Sequence, residues 1–168
     1  PPTKDCAEFL LLDSEHILQR EAEEDGREPP YNAIDVTEVM KLWEKRRYHE
    51  EMQIRDIRVH FWDAGHVLGS ASMEVLAEGK KVLFSGDLGN VDSPFIVSKE
   101  YPKEADYVLT ESVYGGRIHE DVESRKEKMR RLIIETAKAG GVLMMPAFAL
   151  ERTQQLLFEL NDFVEHNK

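Results

Sequence analysis

Read for the spacing of its apolar positions, the chain opens helical, turns strand-like in the middle and ends as a mixture of both. Ala7, Leu10, Leu11 and Ile17 recur at helical intervals behind Thr3 and Asp5, which predicts a helix over about residues 4–23. The polar run Asp25-Gly26-Arg27-Glu28-Pro29-Pro30 breaks it and reads as a solvated loop. Val36, Val39, Met40 and Trp43 repeat the helical spacing, with Thr37 as the expected cap and an end expected near Tyr48. Ile57 to Trp62 then alternates apolar and polar residues, as a half-buried strand does. Ser72 to Leu76 reads as a second strand, and Glu78-Gly79 as a turn into a third at Lys81 to Phe84. Tyr107-Val108-Leu109 reads as a short fourth. Ser124 and Glu127 form a capping-box pattern ahead of a helix whose apolar face is Met129, Leu132, Ile133, Thr136 and Ala137, stopped by Gly140 and Gly141. Val142 to Met145 reads as a buried strand closed by Pro146, and Leu156, Leu160, Phe163 and Val164 as one side of a last helix. Strands alternating with helices predict an α/β class, with helices covering sheet faces.

Composition narrows this only in places. A length of 168 residues with 41% hydrophobic and 33% charged positions suits a globular domain, or one domain and a piece of another. The formal net charge of −11 means that overall charge cannot hold a nucleic acid, so any such role must rest on a local patch, a metal or further sequence. The single cysteine, Cys6, excludes an internal disulfide and fits a reducing, cytoplasmic setting; its place in a helical pattern suggests a buried structural thiol. No apolar run is long enough to span a membrane. Pro1 to Asp5 has neither an initiator Met nor a basic stretch leading into an apolar one, so the chain is expected to begin partway through a longer protein.

Three segments stand out, each following an expected strand: Asp63-Ala64-Gly65-His66-Val67-Leu68-Gly69-Ser70-Ala71, Phe84-Ser85-Gly86-Asp87-Leu88-Gly89-Asn90 and Thr110-Glu111-Ser112-Val113-Tyr114-Gly115-Gly116-Arg117-Ile118-His119. Loops beyond strand ends commonly carry reactive groups. The first two set an imidazole and a carboxylate between glycines, which allow sharp turns and close approach. Both groups are good zinc ligands. On residue type alone, the bland readings stay open: a hydrogen-bonded structural histidine at His66, and a turn-capping aspartate at Asp87 or Asp63.

In combination, the segments resemble the β-CASP branch of the metallo-β-lactamase superfamily. Gly65-His66-Val67-Leu68-Gly69-Ser70 is similar to the motif whose His binds one zinc, and Ser85-Gly86-Asp87 to the motif whose Asp bridges two. Glu111 to Gly115, with Arg117 and His119, is similar to the first β-CASP motif, whose acidic residue orients a catalytic histidine from a later motif. Pro146-Ala147-Phe148-Ala149 with Arg152 and Gln154 resembles the entry to the β-CASP domain, and Pro2-Thr3-Lys4-Asp5 the stretch after the first metal motif. The resemblance implies a partial αββα layered fold over residues 1–140, followed from 141 to 168 by the start of a β-CASP domain. It implies His66 and Asp87 as ligands in a centre of two Zn2+, Asp87 and Glu111 as catalytic residues, and RNA as substrate. Asp63, His119 and Arg152 would be supporting or phosphate-contacting residues. A homodimer or an RNA-processing complex is the expected assembly.

The chain also departs from that family. A His-x-His-x-Asp-His motif, which supplies most of the zinc ligands, is absent, as are the later β-CASP histidines. Val113 stands where the family usually has Thr, and Glu151 where it often has Gly. Three accounts follow: a fragment of a complete enzyme, a split subunit completed by a partner, or a non-catalytic scaffold. Retention of His66 and Asp87 favours the first. The expected parent activity is zinc-dependent RNA hydrolysis, with this chain alone inactive; a metallo-β-lactamase-fold hydrolase of a small substrate is the other enzymatic reading.

Overall fold

The computed structural model describes residues 2–90, 95–118 and 121–166. They form two compact units: residues of 1–92 with 96–110, and residues of 93–95 with 111–168.

The first unit opens with α1 (Pro2–Asp25), close to the helix expected from spacing. Thr3 does not cap it; its hydroxyl donates instead to the Gly69 carbonyl at 2.7 Å, tying the start of the helix to the loop that carries His66. Cys6 is half-buried and free. α2 (Ala33–Lys41) starts earlier than expected and ends sooner. Its cap is Asn32, not Thr37: the Asn32 side chain accepts from the Ile34 and Asp35 amides, while Asp35 reaches back to the Asn32 amide. Thr37 lies inside the helix, donating to the Ala33 carbonyl. The far end is drawn off by the sheet: His49, at φ 63°, donates its amide to the Phe61 carbonyl at 2.9 Å, which helical geometry forbids. Ala22 of α1 and Val36 and Met40 of α2 are buried, and α1 packs on α2.

The sheet has the order β1-β2-β3-β4-β5, formed by β1 (Met52–Ile54), β2 (Ile57–Asp63), β3 (Ala71–Ala77), β4 (Lys80–Phe84) and β5 (Tyr107–Leu109). The first four are an antiparallel meander; β5 pairs parallel with β4, Val82 opposite Tyr107. Three of the expected strands recur within a residue or two of their predicted bounds and the fourth matches them. β1 escaped the sequence reading because Met52-Gln53-Ile54 is too short to show a period; it exists through its hairpin with β2 across Arg55-Asp56. Asp106 fixes the start of β5, its carboxylate accepting from the Lys81 amide and the Lys80 ammonium. These contacts hold the Asp106 carboxyl below the ordinary carboxylate value. The architecture is thus mixed α/β, as expected.

The second unit contains α3 (Val122–Lys138) and α4 (Arg152–His166). The expected Ser124–Glu127 capping box is not formed. Asp121 is the cap, accepting from the Ser124 amide at 2.9 Å and the Ser124 hydroxyl at 2.5 Å. Gly140, at φ 64°, ends the helix, and the Gly141 amide donates to the Thr136 carbonyl. The strand expected at Val142 to Met145 is absent: residues 141–148 are irregular, with Val142 and Met144 88% and 85% exposed. The run has strand composition, but a strand exists only by pairing its backbone groups, and no strand lies among the described residues of this unit to pair with.

Candidate metal centre

β2 delivers the first motif. Its last residue, Asp63, accepts the Gly65 amide at 2.8 Å through Oδ1, closing a tight turn that Gly65 completes at φ 62°. His66 follows, half-buried. Its amide and that of Val67 donate to the Ser70 hydroxyl at 3.0 and 3.2 Å, and the Ser70 amide returns to the Val67 carbonyl. Ser70 therefore holds the His66 loop closed from within. The Tyr48 hydroxyl donates to the Ser70 carbonyl at 2.7 Å. Burial, with the carboxylates of Asp63 and Glu100, pushes the Tyr48 phenol above its ordinary pKa.

β4 delivers the second motif. Ser85 is buried; its amide donates to Leu109 of β5 and its carbonyl accepts from the Ser72 hydroxyl of β3. The chain then bends through Gly86, and Asp87 stands exposed beyond the strand end. Two residues on, Gly89 donates its amide to the Ala64 carbonyl at 2.9 Å. The approach is close enough that a Cβ on Gly89 would fall on the Gly65 carbonyl. The loops that carry His66 and Asp87 are thus in direct backbone contact.

A third segment fastens them. The Glu100 amide donates to the Asp63 carbonyl at 2.8 Å, and the Asp63 amide donates to the Glu100 carboxylate at 3.2 Å. The Lys99 ammonium donates to the Gly89 carbonyl at 2.7 Å. Nε2 of His49 lies 3.2 Å from the Glu100 carboxylate, and its ring meets Trp62 edge-on at 5.0 Å. None of Lys99, Glu100 or His49 was singled out by sequence: they carry no metal-ligand pattern, and only the fold brings them to the motifs.

The donor chemistry of His66 and Asp87 suits zinc, and their loops adjoin. Among the described residues, no group of three or more His, Cys, Asp or Glu side chains converges to hold a metal. The second unit is described by itself. Glu111 is half-buried, accepting the Val113 amide at 3.3 Å, in a turn that continues through the Gly115-to-Ser112 and Arg117-to-Tyr114 bonds. His119 lies outside the described residues. Arg152 borders a cavity of about 590 Å3 formed by α3, Pro146 to Phe148 and α4, and its guanidinium donates to Gln155 at 3.1 Å.

No family profile matches the chain. Individual relatives do. It is 34% identical over 138 residues to the cleavage and polyadenylation specificity factor 73 of Drosophila melanogaster, covering 82% of this chain and 20% of that protein. It is 33% identical over 144 residues to an RNase J-like protein of Methanocaldococcus jannaschii, covering 82% of this chain and 34% of that one. This chain belongs to the β-CASP branch of the metallo-β-lactamase superfamily. The endoribonuclease YSH1 of Kluyveromyces lactis matches this β-CASP chain over 171 residues at 29% identity, covering 99% of it and 22% of the relative. The β-CASP chain therefore spans about a fifth to a third of the length of these relatives.

Proposed function

We propose that the whole protein is a zinc-dependent ribonuclease that hydrolyses RNA phosphodiesters, and that residues 1–168 alone are inactive or nearly so. The observation that carries this is the backbone interlock of the His66 and Asp87 loops through Gly89 and Ala64. It sets an imidazole loop and a carboxylate loop side by side at the ends of β2 and β4, the two strands that flank β3. Relatives named as an endoribonuclease and an RNase J-like protein support the choice of RNA. In this reading His66 and Asp87 would hold metal, and the remaining ligands would come from sequence beyond these residues. Zinc bound there would lower the pKa of a coordinated water to about 7, making hydroxide available at neutral pH. Glu111 orients a histidine from outside this chain, Asp63 supports the His66 turn, and His119 and Arg152 assist or contact phosphate. Residues 1–140 form part of an αββα layered domain, and 141–168 begin the β-CASP domain. No helix among the described residues is long and apolar enough to cross a membrane, and a cytoplasmic RNA-processing complex is the proposed setting.

The test compares the full-length protein with residues 1–168, each incubated with RNA and zinc. Cleavage by the full-length protein, lost on chelation and in His66→Ala and Asp87→Asn, is expected, with none from the short chain. Robust cleavage by the short chain refutes its inactivity. Turnover of a small thioester without RNA cleavage points to another hydrolase of the superfamily, and a full-length protein that binds no zinc points to a scaffold.

A further inference from the structure

We infer that Lys99 and Glu100 are positioning residues that set the spacing between the His66 and Asp87 loops. The inference rests on the metal-centre reading above and adds to it residues that no motif marks.

Each loop is closed by its own contacts: Asp63 and Ser70 for the first, Ser72 and Ser85 for the second. Internal closure does not fix one loop against the other. Two kinds of contact do. The first is the Gly89 amide on the Ala64 carbonyl, a single hydrogen bond. The second is the segment 97–100, which touches both loops. A Cβ on Gly65 would come within 2.6 Å of the Lys99 amide nitrogen and 3.0 Å of the Val97 carbonyl oxygen, so the segment lies flat on the turn before His66. Glu100 holds Asp63 from two sides, by its amide and by its carboxylate. Lys99 then reaches to the Gly89 carbonyl at 2.7 Å, two residues beyond Asp87.

The Lys99 side chain is half-buried, and a charge-assisted bond to a carbonyl is shorter and stronger than a neutral one. With its backbone fixed on the His66 turn and its ammonium on the Asp87 loop, Lys99 acts as a tie of set length. Glu100 anchors that tie, and His49 buttresses Glu100 at 3.2 Å. Ligands tolerate displacement of only about 0.5 Å before a site loses its geometry. Partners outside the ligand set typically contribute 10–100-fold to metal affinity. Loss of the tie therefore weakens metal binding without removing any ligand.

The experiment uses the full-length protein and zinc as the probe. Zinc affinity is measured by competition with a chelator, and thermal midpoints are recorded for the metal-free and zinc-loaded forms. Lys99→Met is expected to weaken zinc affinity about tenfold or more, to shrink the zinc-induced rise in midpoint, and to leave the metal-free midpoint nearly unchanged. Lys99→Arg, which keeps a cationic donor, is expected to recover most of the affinity. If Lys99→Met does not fold, Lys99→Gln carries the comparison, with an intermediate loss expected. Wild-type zinc affinity in the variant that folds overturns the positioning role and leaves the metal centre standing. An equal drop in the metal-free and zinc-loaded midpoints with unchanged affinity shows a general structural role and also overturns it. A wild-type protein that takes up no zinc overturns the metal centre itself, and the inference with it.

Discussion

The Ser72 hydroxyl donates to the Ser85 carbonyl at 2.8 Å, joining the start of β3 to the end of β4 immediately before Gly86 and Asp87. Both serines are buried, so neither group has water as an alternative partner. Ser72→Ala removes this donor from the Ser85 carbonyl, and loss of one such hydrogen bond costs about 0.5–1.5 kcal/mol. The expected result is a lower midpoint in urea or thermal unfolding, with faster amide exchange along β4. An unchanged midpoint would show that the bond is replaced by water.

Gly89→Ala is expected to be the most damaging single change in the first unit outside its core. The added methyl falls on the Gly65 carbonyl, a backbone atom that cannot rotate away. The loops must separate, and overpacking of this sort costs about 1–3 kcal/mol. Zinc uptake should fall further than stability does. Gly116→Ala, where nothing lies within 4 Å of the added methyl, is the matched control and should behave as wild type.

Acid should loosen α3 at its first turn. The Ser124 hydroxyl and amide hold the Asp121 carboxyl below the ordinary carboxylate value. A group whose pKa is lowered by folding stabilises above its unfolded value of about 3.9, and that stabilisation disappears as the pH falls through the folded value. Helical signal in far-ultraviolet circular dichroism should decline below about pH 4. Asp121→Ala should start lower and lose less over the same range. Asp106, shifted in the same direction, contributes in the same window at the β4–β5 edge.

Tyr48 should behave in the opposite sense. Its phenol is raised by burial first and by Asp63 and Glu100 second. The stabilisation is complete below the unfolded value of about 10 and is lost as the pH rises through the folded value. Ultraviolet titration of wild type against Tyr48→Phe should show one tyrosine ionising late. A tyrosine difference spectrum that titrates at the ordinary value would contradict the burial of Tyr48 beside Asp63 and Glu100.

Strand positions were legible in the sequence because period-two alternation and turn residues are local signals. The hairpin over Glu78-Gly79 and the strand at Tyr107 to Leu109 needed nothing else. Helix ends were less legible, because capping depends on which polar side chain the backbone presents. Asn32 and Asp121 took the roles that Thr37 and Ser124 advertised by composition. Val142 to Met145 failed as a strand for want of a neighbour, which no local pattern can supply. At the candidate site, the loops of His66 and Asp87 could be found by motif. Lys99, Glu100 and His49 could not, since their meaning arises from contacts 37 and 13 residues away, at Asp63 and Trp62, and from one to Gly89.

β5 closes the sheet order, pairing with β4 on one side, and its three residues are each more than half exposed. Together with the bare Val142 and Met144, this leaves an edge strand with one strand partner among the described residues and greasy side chains facing water. Produced on its own, such a polypeptide should clump at micromolar concentration despite its strong negative charge, and solubility, before any assay of chemistry, will govern how it can be handled at the bench.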